Sequence, residues 1–447
     1  MDQLMVWKEK YLHGYAALLE GARRVGKSTV AEAFAQEHFR SYIKVDFANV
    51  SRELLEVFQD ISNLDLFFLR LQAVTHVTLH RGESVIIFDE IQLAPYVRQA
   101  IKYLVADGRY AYIETGSLLT IRKNVRNIVI PSEEFPIPVY PMDYEEFLWA
   151  TGSEQYSLLR SLYQAGKPAG NQLNTQLMRE FRIYMAVGGM PQAVQAYVNG
   201  ANFEEIDFVK RQILNLYQED FFKIDPSGRV SMLYQAVPSQ LALKRKHFVI
   251  SSALGKRTTS KDQELFADLL NSRTVLPCYE VTQPNVALAQ TKDLSACKLY
   301  LADTGLFVSL LFQNEAGIYR EIYQKLLSNK LDTNLGFLYE NIAAQVICSS
   351  GRNLYYHTWQ KPDSTHSYEI DFLIPYKTKI IPLEVKSSST KSHQSIDAFL
   401  QKYSAVSDQG YLFSQKDIAH EGKIRMKPVY MLPFLLEECR DTADQFG

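Results

Sequence analysis

Apolar and polar positions change period several times along the chain, and each change marks an element. YAALL, Tyr15 to Leu19, reads as a short strand. A polar, glycine-containing stretch follows, and then Val30, Ala33 and Phe34 recur at helical spacing. Val85 to Phe88 are four consecutive apolar residues, the pattern of a strand buried on both faces of a parallel sheet. YAYIETG predicts a further short strand. Residues 151–225 read as helices broken by TGSEQYS and AGKPAGN, with helical apolar spacing around the Gly-Gly turn of RIYMAVGGMPQAVQAYVNG. Residues 226–290 predict short helices and a strand pair. Further on, Phe337, Ile342 and Val346 share a helix face. NLYYHTWQ, EIDFLIPY and KIIPLEVKSS then predict a three-stranded meander, SIDAFLQKYS a helix and QGYLFSQ a last strand. No fixed-period repeat or low-complexity segment interrupts this order.

Composition adds bounds rather than chemistry. With 447 residues, 47% hydrophobic and 22% charged, the chain has room for two to four domains. A net charge of −2 means that any nucleic-acid partner must be met by a local basic patch. Cys278, Cys297, Cys348 and Cys439 are scattered, which predicts reduced thiols rather than disulfides or a zinc site. The N-terminal stretch lacks the apolar run of a signal peptide, and nothing approaches the roughly 20 apolar residues of a membrane span. The expectation is a cytoplasmic protein with no membrane contact.

The first constellation is GARRVGKS, placed between the first strand and the first helix. It matches GxxxxGK[ST] without a gap, so Gly21, Ala22, Arg23, Arg24, Val25, Gly26, Lys27, Ser28 and Thr29 are expected to wrap the phosphates of ATP. Backbone amides and the helix N-terminus attract the anion, Lys27 reaches the β- and γ-phosphates, and Ser28 ligates Mg²⁺. SVIIFDEIQ ends its strand in Asp89, expected to hold Mg²⁺ through water, and Glu90, expected to polarise the attacking water. Thr115 and Ser117 end the next strand, where a hydroxyl would sense the γ-phosphate or simply cap a helix.

A second constellation lies in EIDFLIPYKTKIIPLEVKSSS. Glu384 and Lys386 are two apart on one strand and so share a face, and Asp371 on the neighbouring strand can join them. This is a D…ExK pattern. Two carboxylates, with the Val385 carbonyl and Glu340 of the preceding helix, would bind a second Mg²⁺ or a Mn²⁺, and Lys386 would orient or deprotonate water. Between the two constellations Lys244, Arg245, Lys246, His247, Lys256, Arg257 and Lys261 form a basic stretch. It reads either as a nucleic-acid footprint, DNA rather than RNA, or as a solvated face. His357, His366 and His393 are given no role.

GARRVGKST, VIIFDEIQLAP and IETGS, in this order, resemble the P-loop ATPases of the AAA+ superfamily. More narrowly, EEFPIPVYPMDYEEFLWA, YMAVGGMPQAV, KLYLADTGLF and GFLYENIAAQVI are similar to the landmarks of prokaryotic proteins that pair an AAA-14 type ATPase with a DUF4143 region. The resemblance implies an α/β fold in four parts. These are a parallel-sheet ATPase core over 1–150, a helical lid over 151–225, a winged-helix-like region and connector over 226–325, and a restriction-endonuclease-like α/β domain over 326–447. The Gly-Arg that many relatives carry before the PMDYEEF elbow is absent here, so no arginine finger is placed; Arg122 and Arg126 read either as substitutes for it or as solvated surface arginines. Two readings of function stay open. In one, MgATP hydrolysis is coupled to a nuclease-like domain acting on nucleic acid. In the other, the chain is an ATP-driven switch or scaffold that binds a protein partner through an inert domain. Oligomerisation is compatible with both.

Overall fold

The computed structural model describes residues 1–116, 131–312, 319–328, 336–362, 364–387 and 393–444, with residues 60, 319–322 and 441–444 described by backbone alone. Two compact units result, Met1–Tyr140 with Asn271–Arg273, and Pro141–Leu270 with Thr274–Gly447.

The first unit is built on five strands, β1 (Ala16–Glu20), β2 (Ser41–Asp46), β3 (Ser84–Asp89), β4 (Ala111–Gly116) and β5 (Glu134–Pro138). They run parallel in the order β2-β3-β4-β1-β5. Every residue of β3 and β4 is buried, as a sheet covered on both faces requires. One face packs an aromatic-rich core around Phe47, Phe58, Phe67 and Phe88. The other packs Trp7, Leu19 and Ile87 against Phe34 of helix α1 (Lys27–His38). Helix α2 (Pro95–Asp107) opens with proline, where its missing N–H costs nothing, and ends at Gly108 in the left-handed region. The parallel arrangement brings the C-terminal ends of β1, β3 and β4 to one edge, where ligands of such sheets bind.

The second unit begins with helices, among them α3 (Gln155–Ala165), α4 (Asn171–Val187) and α5 (Phe203–Ile224). Asn202 and Glu205 close a capping box on α5. Four short helices between Arg229 and Asn271 lead into the antiparallel pair β6 (Val275–Val281) and β7 (Lys292–Leu301). The pair is not a free-standing wing. β8 (Leu354–Gln360) runs parallel to β6, and β9 (Ser367–Ile370) closes the sheet β7-β6-β8-β9. β6 carries buried Val275, Leu276, Cys278 and Val281, an apolar edge that β8 covers.

EIDFLIPY, predicted as one strand of a single meander, divides at Asp371. β9 pairs with β8, while β10 (Phe372–Tyr376) pairs with β11 (Lys379–Val385) in another sheet. That sheet has the order β10-β11-β12-β14-β13, with β12 (Gly410–Ser414), β13 (Ala419–Glu421) and β14 (Ile424–Pro428). At the division the Asp371 carboxylate, rather than a ladder carbonyl, accepts the Val385 amide at 2.8 Å.

A buried polar node ties the unit together. The turn leading into α6 (Thr304–Leu311) places Asp303 so that its carboxylate accepts the Gly189 amide at 2.6 Å and the Leu306 amide at 2.8 Å. Lys210 of α5 donates to the carbonyls of Ala186 and Gly305 and to the Tyr323 hydroxyl. Helix α7 (Phe337–Ser349) joins through Asn341, which accepts the Leu301 amide, and Gln345, which accepts the Thr304 amide and donates to Tyr184. The Gly-Gly-Met-Pro and Ala-Asp-Thr-Gly segments therefore form one structure with α7, the helix that carries Glu340. Among the described residues no helix is long and apolar enough to cross a membrane.

Candidate functional site

In the first unit the loop from Gly21 to Gly26 connects β1 to α1. A Cβ on Gly21 would stand 2.4 Å from the Val139 carbonyl oxygen, so the loop needs glycine there for close approach. Gly26 has φ 97°, a left-handed conformation that turns the chain into the helix. Arg24 shares that region with φ 69°. Ala22 and Val25 are buried, Arg23 is half-buried and Thr29 is exposed. Lys27 Nζ lies inside the loop, donating to the carbonyls of Gly21 (3.2 Å) and Ala22 (2.9 Å).

Two strand ends and the start of helix α1 meet at Asp89. Ser28 Oγ donates to Asp89 Oδ1 at 2.6 Å, the Thr115 hydroxyl donates to the same oxygen, and the Glu90 amide donates to Thr115 Oγ1 at 3.2 Å. Glu90 adopts φ 55° and accepts from the Gln92 side chain. Thr115 thus touches both acidic positions. Ser117, Arg122 and Arg126 lie outside the described residues.

Sequence reasoning missed Lys44, which β2 brings to 3.8 Å from Asp89 Oδ2 and 2.9 Å from Glu32. Burial opposes its charge, but the hydrogen bond to Glu32 and the charges of Asp89, Glu32 and Asp46 outweigh burial and hold its pKa above the ordinary value. The alternating signs of KVD were the available signal. Also missed was a buried charge cluster behind Thr115. Arg98 of α2 grips Glu134 with two 2.7 Å hydrogen bonds, and neither carboxylate oxygen of the fully buried Glu114 has a hydrogen-bond partner among the described residues. Burial, then the Glu134 charge, push the Glu114 pKa well up, with Arg98 offsetting them in part.

In the second unit Asp371, Glu384 and Lys386 come together. Lys386 Nζ is 2.5 Å from Glu384 Oε1, and Glu384 Oε2 is buried with no hydrogen-bond partner among the described residues. Burial pushes Glu384 up to about 7, the nearby Lys386 charge pulls it down and Asp371 adds to the rise. Glu340 is likewise pushed up to about 7 by burial and by Asp371. Two further groups complete the cluster. Lys298 of β7 is buried and lies 2.5 Å from Glu369, and the Tyr300 hydroxyl donates to Glu340 at 3.3 Å. Both come from KLYLADTG, too far along the chain for spacing to place them. Four carboxylates face two ammonium groups. Among the described residues no three His, Cys, Asp or Glu side chains close into a metal cage. Glu340, expected as a metal ligand, is held by Tyr300 within the charge field of Asp371.

The basic stretch is exposed at Lys244, Arg245, Lys246 and His247. Lys246 donates to Ser367 of β9, the strand that runs into Asp371. Lys256 and Lys261 pair with Asp262 and Glu264, whereas Lys244, Arg245 and Arg257 have no carboxylate partner among the described residues. His357 is buried between the Val281 carbonyl and the Tyr403 hydroxyl. His393 sits between Asp397 and Glu421.

The chain matches the AAA domain family AAA_14 over residues 13–148, a domain of unknown function (DUF8612) over 178–316 and another (DUF4143) over 335–432. No curated protein matches it. Among solved structures it is similar to Cdc6p from Pyrobaculum aerophilum, at 12% identity over 74% of this chain and 93% of that one, with a TM-score of 0.24. It is also similar to protein VC1899 from Vibrio cholerae, at 10% identity over 95% and 98%, with a TM-score of 0.19. Scores this low carry no argument, and the assignment rests on the family matches and the parallel sheet that bears the phosphate loop. The chain belongs to the AAA+ superfamily, in the family that joins an AAA_14 ATPase domain to a DUF4143 region.

Proposed function

We propose that the chain binds and hydrolyses MgATP at the loop from Gly21 to Thr29 and cleaves nucleic acid at Asp371, Glu384 and Lys386. The observation that carries the first half is the contact of Ser28, Thr115 and Asp89 at one point beside Lys27. Ser28 and Asp89 fit Mg²⁺, one as a direct oxygen ligand and the other through water. Mg²⁺ when bound supplies neutralisation of the phosphate charge. Lys27 holds the β- and γ-phosphates, Thr115 orients Asp89 and fixes the Glu90 backbone, and Glu90 takes the proton of the attacking water.

The second half rests on the unpartnered, buried Glu384 Oε2 beside Asp371. Leaving a carboxylate oxygen buried without a partner is costly, and a divalent cation offers what the protein does not. Asp371 and Glu384 would hold Mg²⁺ or Mn²⁺, which supplies charge to a phosphodiester. Lys386 orients the water, and Glu340 and Lys298 set the surrounding charge. The exposed Lys244–His247 loop, tied to β9 by Lys246, supplies a phosphate-binding rim next to the cluster, which favours DNA or RNA over a protein partner. Retention on immobilised DNA tests this directly. It should fall steeply as salt rises, and a joint Lys244→Ala, Arg245→Ala substitution should flatten the slope by roughly two phosphate contacts. No retention at low salt would instead favour the scaffold reading.

A further inference from the structure

On the far side of the C-terminal sheet, away from Glu384, lies a cavity of about 570 Å³. The strand register fixes its position. Tyr411 of β12 stands opposite Arg425 of β14, and Phe413 opposite Lys427, while Glu384 stands opposite Leu412. Side chains alternate along a strand, so Tyr411, Arg425 and Lys427 face away from Asp371 and Glu384. Helix α3 supplies Arg160 and Tyr163 to the wall, and helix α8 (Leu432–Asp444) supplies Phe434, Glu437 and Glu438.

The chemistry of the cavity is uneven. Its two carboxylates are already engaged: Glu437 accepts from Arg160 at 3.1 Å and Tyr156 at 3.3 Å, and Glu438 accepts from the Tyr163 hydroxyl at 2.7 Å. The cations on β14 are not. Among the described residues neither Arg425 nor Lys427 has a hydrogen bond or a carboxylate within ion-pair reach, and the Lys427 ammonium rests 3.5 Å from the centre of the Tyr163 ring. Burial pulls the Lys427 pKa down to about 8, with Glu438 opposing in part. A half-buried ammonium without a counter-ion is costly, and an anion entering the cavity would relieve it. Tyr163, Tyr411 and Phe434 line the same space but are largely buried, so the anion's carrier meets only the parts of three aromatic rings that packing leaves open.

We infer that this cavity binds a nucleoside 5′-phosphate, carried by a free mononucleotide or by the 5′-phosphorylated end of a nucleic-acid strand. Arg425 and Lys427 take the phosphate, Arg425 with the fork geometry that suits its oxygens. The base packs against the open parts of the aromatic lining, a contact available to every base. The volume falls within the roughly 300–1,000 Å³ of small-ligand sites. The site is separate from the phosphate loop and from the Asp371 cluster, so it stands whether or not either is active.

Calorimetric titration of the full chain carrying Lys27→Ala, which removes the phosphate-loop lysine, tests the site. The probes are AMP and an oligothymidylate with either a 5′-phosphate or a 5′-hydroxyl. Saturable binding of AMP is expected if the source is a free nucleotide, and of the phosphorylated oligonucleotide alone if it is a strand end. Arg425→Ala and Lys427→Met should each weaken that binding about tenfold or more, the cost of one charge-assisted contact. Arg425 is exposed, so its replacement leaves the fold intact. No saturable binding of AMP together with equal binding of the 5′-phosphate and 5′-hydroxyl strands, or affinity for AMP and for the 5′-phosphate that survives both substitutions, would overturn the inference.

Discussion

Replacing Lys386 with alanine probes the acidic cluster without touching the phosphate loop. Lys386 Nζ stands 2.5 Å from Glu384 Oε1, with the Glu384 side chain 6% exposed and that of Lys386 37% exposed. Breaking a fully buried pair costs about 3–5 kcal/mol, and the partial exposure of Lys386 reduces this to about 2 kcal/mol. The cost must depend on pH. Glu384 is an acid whose folded pKa, about 7, lies above the ordinary 4.5, so its protonated form is favoured by folding. Stability linked to it is full below the unfolded value and is lost as pH rises through the folded one, at up to about 1.4 kcal/mol per pH unit. Without Lys386 the folded pKa rises further. The variant should therefore match the parent at about pH 5 and fall about 2 kcal/mol below it at about pH 8. Urea denaturation at the two pH values, followed by fluorescence of Trp149 and Trp359, reads this difference. Millimolar Mn²⁺ should restore the loss at the higher pH, because a cation replaces the missing ammonium beside Glu384 and Asp371. An equal cost at both pH values, or no rescue by Mn²⁺, would refute the description of these carboxylates as a charge-starved cation site.

Other outcomes follow from the same geometry. Thr115→Val removes the hydroxyl that serves Asp89 and the Glu90 amide, and should lower the ATPase kcat about 10–100-fold with little change in nucleotide affinity, read by steady-state kinetics and titration. Glu114→Gln replaces a buried acid whose folded pKa is raised, so the penalty it carries grows as pH rises above the ordinary value. The substitution should stabilise the first unit by about 1–2 kcal/mol at about pH 8 and not at about pH 4, visible in thermal melts. Asp303→Ala leaves the buried amides of Gly189 and Leu306 without acceptors, at about 1–3 kcal/mol each, whereas Asp303→Asn keeps one acceptor and should lose about half as much in urea denaturation.

The phosphate loop was legible because its chemistry is local. Gly21 to Thr29, Asp89 and Thr115 each sit at the end of an apolar strand, and a parallel sheet brings strand ends together whatever the order of the strands. Lys44 and the Arg98–Glu134 pair were not legible, since they depend on which strands and helices become neighbours. The same limit applies at the other end of the chain. The two-residue spacing of Glu384 and Lys386 predicted a shared face, and the side chains touch. The break at Asp371 was hidden because EIDFLIPY has uniform strand character on both sides of it. Lys298 and Tyr300 reach the cluster only because β7 joins the sheet of β8 and β9, a pairing over a long sequence separation that no periodicity encodes. The interlocking of Gly189 with Asp303 was invisible for the same reason, although both segments stood out as motifs.

The most direct measurement is cleavage of linear, circular and single-stranded DNA and of RNA by the full chain with Mg²⁺ or Mn²⁺, with and without ATP, beside Lys386→Ala and Lys27→Ala. Cleavage that is lost in Lys386→Ala is the predicted result, and its dependence on Lys27 would show that ATP governs it. Intact ATP hydrolysis with no cleavage of any substrate under any of these conditions would contradict the nuclease assignment and leave a nucleotide-driven switch that binds a protein partner.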